Sequence, residues 1–312
     1  MTDLTGQSRT SYLSDIVNAP PPAGVVELVD DLQSKYPGSA ILLYGSGASV
    51  LKDADPADVL FDFYIIAPTY EAAFRSRLMR FLNRMIPPNV FYVELKTPNG
   101  IRRAKYAVLS LAHFERLVSR NCFHSYFWAR FAQPSRIVAG SSTMRKSVIN
   151  CIETAIDTFT VNIAALSSEE ASVRDLWRAG LGRSYKAELR AETPNRVDAL
   201  LDSYGTWPDD ITRNDLVVAT QQRARARRTD LAWRIRIVQG GFLSVGRLLK
   251  GAFTFQGGLD YITWKIARHT GVDVPIRNWE RAIPLIGIPF VVERYYRLRR
   301  VKTRHGSDNL SQ

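Results

Sequence analysis

Four short apolar runs within the first 110 residues constrain the fold more than any other feature. They are AILLY (40–44), VLFDFYIIA (59–67), VFYVEL (90–95) and IRRAKYAVL (101–109). Each has the length and composition of a strand; Gly-Ser-Gly ends the first, and the turn TPNG joins the last two as a hairpin. Helical spacing of apolar residues recurs at 23–36, 70–85 and 110–131. The order α-β-β-α-β-β-α predicts an α+β fold, a small mixed sheet with helices packed on it.

The sequence changes character near residue 140, where the strand-like runs end. Residues 143–166 have the pattern of one long helix, and Ser167 and Glu170 have the spacing of a capping box that starts another. We therefore expect three segments. They are a sheet domain over 1–140, a helical domain over 141–212 and a basic helical region over 213–312.

The excess positive charge lies entirely in the last hundred residues. The net charge is +12, and residues 1–212 contain 23 Lys/Arg and 23 Asp/Glu, whereas residues 213–312 contain 19 and 7. This asymmetry favours an anionic partner for that end, either nucleic acid or an acidic membrane surface, over a merely solvated basic face.

Two stretches of the basic region combine cations with apolar or aromatic residues. A stripe at helical spacing comprises Leu231, Ile235, Val238, Phe242, Val245 and Leu249. It fits either a helix that packs on the core or a basic helix on a membrane. Further on, two tyrosines accompany Arg294, Arg297, Arg299, Arg300, Lys302 and Arg304. That composition suits lipid headgroups and also RNA.

Several classes of site are poorly supported. Cys122 and Cys151 are too far apart for a metal motif or a disulfide framework, which indicates a reducing compartment. The four histidines have no zinc-ligand spacing, and neither a GxSxG elbow nor a P-loop is present. No window is apolar for long enough to span a bilayer. AIPLIGIPFVV (282–292), which two prolines interrupt, suits a buried segment or an apolar loop that dips into a membrane interface.

YGSG at 44–47 and FDFYII at 61–66 together indicate a phosphate-binding site. A glycine-rich turn after a strand can direct backbone N–H groups toward an anion. A carboxylate on the next strand, Asp62, can then hold Mg²⁺ against the same phosphates, as nucleotidyl transfer requires. The alternative is a tight turn beside an acid that pairs with an arginine.

The second metal ligand is the open question in this pattern. Nucleotidyltransferases of the polymerase β type usually carry two carboxylates two residues apart on this strand, but here Leu60 and Tyr64 stand at that spacing from Asp62. Glu94, in the third strand-like run, is the first candidate for the second ligand, ahead of Asp53, Asp55 and Asp58 in the connection between the two stretches. A solvent-facing role for Glu94 is the alternative.

Read in order, the stretches from about 40 to 271 resemble the mitochondrial Tam-type CDP-diacylglycerol synthases (phosphatidate cytidylyltransferases) and their bacterial relatives. YGSG and FDFYII are followed by KYAVLS (105–110), FWARFAQPSRIV (127–138), SYKAELRAE (184–192) and KGAFTFQGGLDYITWKIARHTG (250–271). The sequence departs from the family pattern with Ala107 in place of a glycine, Gln133 in place of a lysine, and Ala187-Glu188 where Gly-Asp is usual.

The resemblance implies a nucleotidyltransferase domain, a winged-helix-like domain and a membrane-associating C-terminal region. The implied reaction converts CTP and phosphatidic acid to CDP-diacylglycerol and pyrophosphate with Mg²⁺, on the cytoplasmic face of the inner membrane. Residues implied to bind the nucleotide are Tyr44, Gly45, Ser46 and Gly47, and Asp62 is implied to bind the metal. The other implied site residues are Lys105, Arg130, Tyr185, Glu188 and Arg190.

Two other functions stay open at this point. A nucleotidyltransferase-fold enzyme that acts on RNA also suits the basic helical region. The other is a non-catalytic, membrane-associated adaptor, which the single carboxylate on the strand of Asp62 would fit.

Overall fold

The computed structural model describes residues 9–22, 24–45, 59–166, 171–189, 194–223, 226–254, 258–282 and 284–308. At some helix positions, 300–308 among them, the backbone alone is described. Every helix in these ranges is too short or too polar to cross a membrane.

The centre of the fold is a five-stranded mixed sheet. Its strands are β1 (Ala40–Tyr44), β2 (Leu60–Ala67), β3 (Asn89–Thr97), β4 (Gly100–Ser110) and β5 (Ser135–Ala139). Their order is β3-β4-β2-β1-β5; β2 and β4 run parallel, and the other neighbours are antiparallel. The predicted α+β class is confirmed, and the nucleotidyltransferase type stays a prediction.

The first four strands are those that the apolar runs predict. The TPNG turn closes the β3–β4 hairpin as expected, with Thr97 opposite Gly100. Gly100 has a φ of +99°, a conformation that favours glycine. The sequence did not predict β5, because SRIVA is short and forms an edge strand only by pairing with β1.

Helices surround the sheet and form the rest of the described chain. They are α1 (Arg9–Val17), α2 (Val26–Lys35), α3 (Tyr70–Ala73), α4 (Arg77–Met85), α5 (Leu111–Val118), α6 (Trp128–Phe131), α7 (Ser142–Ala164), α8 (Val173–Ala187), α9 (Pro194–Tyr204), α10 (Trp207–Ile211), α11 (Asn214–Arg223), α12 (Ala226–Thr254), α13 (Gly258–Thr270), α14 (Asn278–Ala282) and α15 (Pro284–Asp308).

Alternate residues of the strands enter two separate cores. On one face, Ile41, Phe63 and Val108 pack with residues of α2 and with Tyr70 and Phe74. The opposite face belongs to a larger cluster that reaches the helices after residue 140. That cluster includes Leu42, Tyr64, Phe159, Trp177 and Trp233.

The boundary predicted near residue 140 therefore marks a change of architecture within a continuous core. Helix α7 starts at Ser142, and the described part of 141–212 contains only helices. Its buried side chains share one cluster with the sheet and with Trp233 of α12. The winged-helix character of this segment stays a prediction.

Two helices expected from periodicity are each divided in the structure. The segment 70–85 forms α3 and α4, because Phe74 is extended and the Ser76 hydroxyl caps the start of α4 by accepting from the Met79 N–H. The segment 110–131 forms α5 and α6, with non-helical residues between Val118 and Trp128.

The apolar stripe of α12 faces outward, so core packing was the wrong alternative. Its six side chains are between 47% and 76% exposed, and neighbouring Leu248 is 75% exposed. The expected interfacial loop at 282–292 is also wrong in form, since most of it is the first part of α15, with Pro289 inside the helix. Ile286, Ile288 and Phe290 are exposed on that helix.

Candidate active site

Asp62 and Lys105 lie side by side on the two parallel strands of the sheet. They are register partners on β2 and β4, and Lys105 Nζ is 3.3 Å from Asp62 Oδ1. Lys105 is 30% exposed and Asp62 is 25% exposed. The pair therefore presents both a carboxylate and an ammonium group to the same accessible space.

The chain turns at Gly45, beside this carboxylate. Tyr44 ends β1 as the register partner of Asp62, and Gly45 has a φ of +74°. A Cβ on Gly45 would stand 3.6 Å from Asp62 Oδ2, so the glycine leaves that side of the carboxylate open. Burial, with Asp62 nearby, raises the pKa of Tyr44 and keeps its hydroxyl protonated. Ser46 and Gly47 lie outside the described residues.

Arg130 and Glu188 form a shielded ion pair across the cleft from the sheet. The distance from Arg130 Nη2 to Glu188 Oε2 is 2.6 Å, and the two side chains are 15% and 7% exposed. The guanidinium also lies over the rings of Tyr44 and Tyr126, at 5.6 and 4.4 Å from their centroids. Burial disfavours its charge, but Glu188 together with Tyr126, Tyr64 and Tyr44 outweighs this and raises the pKa of Arg130 well above its ordinary value.

Gln133 connects the helices that form the other wall. Its Oε1 accepts hydrogen bonds from the hydroxyls of Tyr185 at 3.2 Å and Tyr204 at 2.7 Å. Its Nε2 donates to the Ala129 carbonyl at 2.8 Å. A single amide thus fixes α6, α8 and α9 relative to one another. Arg190 lies outside the described residues.

These elements enclose one cleft of about 700 Å³, a size that suits a nucleotide. Seven predicted site residues line it: Tyr44, Gly45, Asp62, Lys105, Arg130, Tyr185 and Glu188. Among the other lining residues, four are polar and were not identified from the sequence as part of the site: Gln133, Arg196, Ser203 and Tyr204. Of these, only Gln133 had a signal, its departure from the lysine of the family pattern.

Helix α12 adds positive charge behind the cleft. Arg247 lies over the Tyr126 ring, 3.8 Å from its centroid, and its Nε donates to the Pro87 carbonyl at 2.7 Å. Lys250 donates to the carbonyls of Pro88 and Ile86. Burial, with a contribution from Arg247, lowers the pKa of Lys250 to about 7. Tyr126 therefore links α12 to Arg130, because both guanidinium groups stack on its ring.

Glu94 does not line the cleft with Asp62. It lies on β3, where Glu94 Oε2 accepts from Arg103 Nε at 2.9 Å and from the Tyr92 hydroxyl at 3.2 Å. Arg103 is its register partner on β4. The structure thus places the candidate second ligand in an ion pair at the hairpin, two register positions along the sheet from Asp62 and Lys105.

The basic residues near the end of the chain differ in their surroundings. Arg294 is held by Glu280, with an Nη2–Oε1 distance of 2.7 Å, and is not directed toward solvent. Arg297 and Arg299 are exposed on α15, where Arg297 pairs with Glu293 at 2.5 Å. The side chains of Arg300, Lys302 and Arg304 lie outside the described residues.

Comparison with known proteins adds no further information on this site. The chain matches no known family model and no curated protein.

Proposed function

We propose that the chain is a nucleotidyltransferase that moves a cytidylyl group from CTP to phosphatidic acid. The observation that carries this proposal is the Asp62–Lys105 pair in a cleft that also holds the Gly45 turn and Arg130. The cleft supplies a carboxylate for a metal, cations for a triphosphate and an open backbone turn for a phosphate. The ordered resemblance to CDP-diacylglycerol synthases supplies the choice of nucleotide and lipid.

Mg²⁺ fits the donor chemistry of the cleft. Mg²⁺ is usually bound by one or two carboxylates together with substrate phosphates, and Asp62 offers one carboxylate beside the space at Gly45. Among the described residues, no group of three or more His, Cys, Asp or Glu side chains converges. Phosphate oxygens and water would therefore complete the coordination. When bound, Mg²⁺ would neutralise the triphosphate and polarise its α-phosphorus.

The proposed reaction forms one phosphorus–oxygen bond and breaks another. A phosphate oxygen of phosphatidic acid attacks the α-phosphorus of CTP, and pyrophosphate leaves with the electron pair of the α–β bridge. Lys105 and Arg130 stabilise the charge on the phosphoryl oxygens, and Glu188 orients Arg130. The products are CDP-diacylglycerol and pyrophosphate.

In this proposal the enzyme works as a peripheral protein on the cytoplasmic face of the inner membrane, where it meets its lipid acceptor. Arg297 and Arg299 are exposed cations on α15. A basic residue near an anionic surface contributes about 1 kcal/mol of attraction. In this proposal the sheet is the nucleotidyltransferase-type domain, the helices of 141–212 are the winged-helix-like domain, and 213–312 is the membrane-associating region.

RNA is the second candidate acceptor, because a net charge of +12 concentrated after residue 212 also suits nucleic acid. The two acceptors are separated by supplying CTP labelled at its α-phosphate, Mg²⁺, and either phosphatidic acid vesicles or RNA. The proposal expects label in the lipid extract alone. Label in RNA alone would replace it with the second candidate, and label in neither would favour the adaptor.

A further inference from the structure

Helix α4 packs on the sheet through polar groups and exposes its apolar side. Asn83 is its one fully buried residue; its Nδ2 donates to the Val108 carbonyl at 2.8 Å, and its Oδ1 accepts from the Asn89 N–H at 2.5 Å. Leu78, Phe81 and Met85 are 65%, 58% and 62% exposed. An amphipathic helix normally buries its apolar face, so α4 is inverted relative to that pattern.

Helix α12 has the same orientation. Its inner side carries Trp233, which is fully buried, and Gly240, where a Cβ would stand 2.4 Å from the Ala187 carbonyl oxygen. Its outer side carries the exposed stripe, in which Phe242 and Leu249 are 76% and 62% exposed. Close packing of the small and aromatic inner residues therefore holds the apolar stripe in solvent.

The two helices meet, so their exposed sides belong to neighbouring surfaces. A Cβ on Gly246 would stand 3.4 Å from Ile86 Cδ1, at the end of α4. Met85 of α4 and Leu243 of α12 line one shallow groove. Soluble proteins rarely expose large contiguous apolar patches unless another molecule covers them.

The charges around these faces match an anionic surface. Helix α4 contains three arginines and no acidic residue. Arg77 and Arg84 are exposed on it, and Arg84 pairs with Glu71 at 2.7 Å. On α12, Arg234 is 77% exposed beside Asp230, whereas Arg236, Arg247 and Lys250 donate to backbone carbonyls of other elements. Apolar side chains bordered by arginines on the outside of a helix are typical of helices that lie in the headgroup region of a bilayer.

We propose that the outward faces of α4 and α12 form a docking surface for the surface of an anionic lipid bilayer. Leu78, Phe81, Phe242 and Leu248 enter the headgroup boundary, and the neighbouring arginines contact lipid phosphates. Helix α12 belongs to the membrane-associating region of the proposed function, and this inference adds α4 of the sheet domain to it without relying on any step of the transferase reaction.

The test measures flotation of the full chain with vesicles of phosphatidylcholine alone or mixed with phosphatidylglycerol. Neither lipid is the proposed substrate, so this test and the transferase assay can fail separately. Wild type is expected to float with the anionic vesicles and to be released by high salt. Phe81→Ser and Phe242→Ser should each weaken binding about tenfold. Val26→Ser and Val218→Ser are the controls, because these side chains are 55% and 51% exposed on other parts of the molecule. Both variants should bind as wild type does.

An environment-sensitive fluorophore gives a second readout that does not require loss of an apolar side chain. Burial raises the pKa of Cys122 to about 11 and of Cys151 to about 12, so neither native thiol is readily labelled near neutral pH. The emission of a fluorophore attached to Phe242→Cys should shift to shorter wavelength when anionic vesicles are added. The emission of the same fluorophore on Val26→Cys should not shift.

Two results would overturn the docking surface. One is vesicle binding that Phe81→Ser and Phe242→Ser leave unchanged, with no fluorophore shift at position 242. The other is a wild-type dimer that these variants dissociate while vesicle binding persists, which would assign the face to a second copy of the chain.

Discussion

Asp62 and Lys105 form a contact between parallel strands, with Oδ1 and Nζ 3.3 Å apart, at the floor of the candidate active site. The two residues are 43 positions apart in the sequence. They become neighbours because β2 and β4 pair in parallel, with Asp62 opposite Lys105. The contact keeps a carboxylate and a cation together where Gly45 leaves space for a ligand.

Removal of the Lys105 ammonium group should weaken nucleotide binding and transfer. Lys105→Met is expected to lower the transfer rate by about 100-fold, because one charge-stabilising group in such a site contributes about that much. Arg103→Met is the matched control, since Arg103 lies two residues earlier on β4 and pairs with Glu94. Equal losses in the two variants, measured by steady-state rates, would contradict the assigned role of Lys105.

The Arg130–Glu188 pair should be important for stability as well as for the site. Glu188→Ala leaves the Arg130 guanidinium shielded from solvent but without its carboxylate partner. Loss of one partner of a buried ion pair typically lowers the free energy of unfolding by about 3–5 kcal/mol. Urea unfolding measures this cost. The double variant Arg130→Met/Glu188→Leu removes both charges and should regain much of the lost free energy of unfolding. A double variant less stable than Glu188→Ala would refute this account.

Adjacent glycines in α12 should respond differently to alanine. A Cβ at position 240 would stand 2.4 Å from the Ala187 carbonyl oxygen, whereas one at position 241 would stand 3.5 Å from Leu189 Cδ2. Gly240→Ala should therefore destabilise the fold by about 1–3 kcal/mol. Gly241→Ala should be neutral or stabilising by up to about 1 kcal/mol, because alanine favours the helix. Thermal unfolding measures the stability of both variants. Equal changes in stability at the two positions would count against the packing of α12 on α8.

Two histidines, the buried His113 and the half-buried His124, predict a loss of stability in mild acid. Burial lowers the pKa of His113 to about 4, with further lowering from Arg116, His124 and Arg84, and lowers that of His124 to about 4, with a contribution from Arg247. The unfolded chain, with histidine pKa values near 6.5, takes up protons first as the pH falls.

The free energy of unfolding should consequently be highest above about pH 6.5 and fall toward pH 4, by on the order of 3 kcal/mol per histidine. Urea unfolding at a series of pH values measures the slope. His124→Gln should reduce that slope, while any contribution from carboxylates persists in both proteins. A slope unaffected by the substitution would show that His124 ionises normally in the folded state.

The sequence predicts best what depends on strand order and local chemistry. Asp62 was identified because a charge within an apolar strand is visible without the fold, and Lys105 and Arg130 because the stretches that contain them resemble the family pattern. The hydrogen bonds of Gln133 could not be predicted from the sequence. Its partners Tyr185 and Tyr204 are 52 and 71 residues away, and only the packing of the helices brings them to one amide.

Helix orientation also required the structure. Periodicity identified an apolar side on α4 and on α12, but periodicity alone does not say which side faces the core. The contacts of Asn83 with Val108 and Asn89 decide it for α4, and the close approach of Gly240 to Ala187 decides it for α12.

The most direct test of the central proposal is the transfer of label from α-phosphate-labelled CTP into lipid by wild type and Asp62→Asn. Asparagine keeps the shape of the side chain and removes the charge that would hold Mg²⁺. The account predicts labelled CDP-diacylglycerol from wild type with Mg²⁺ and phosphatidic acid vesicles, and at least about a 100-fold lower rate from the variant. No labelled lipid from wild type, or full activity in Asp62→Asn, would contradict it.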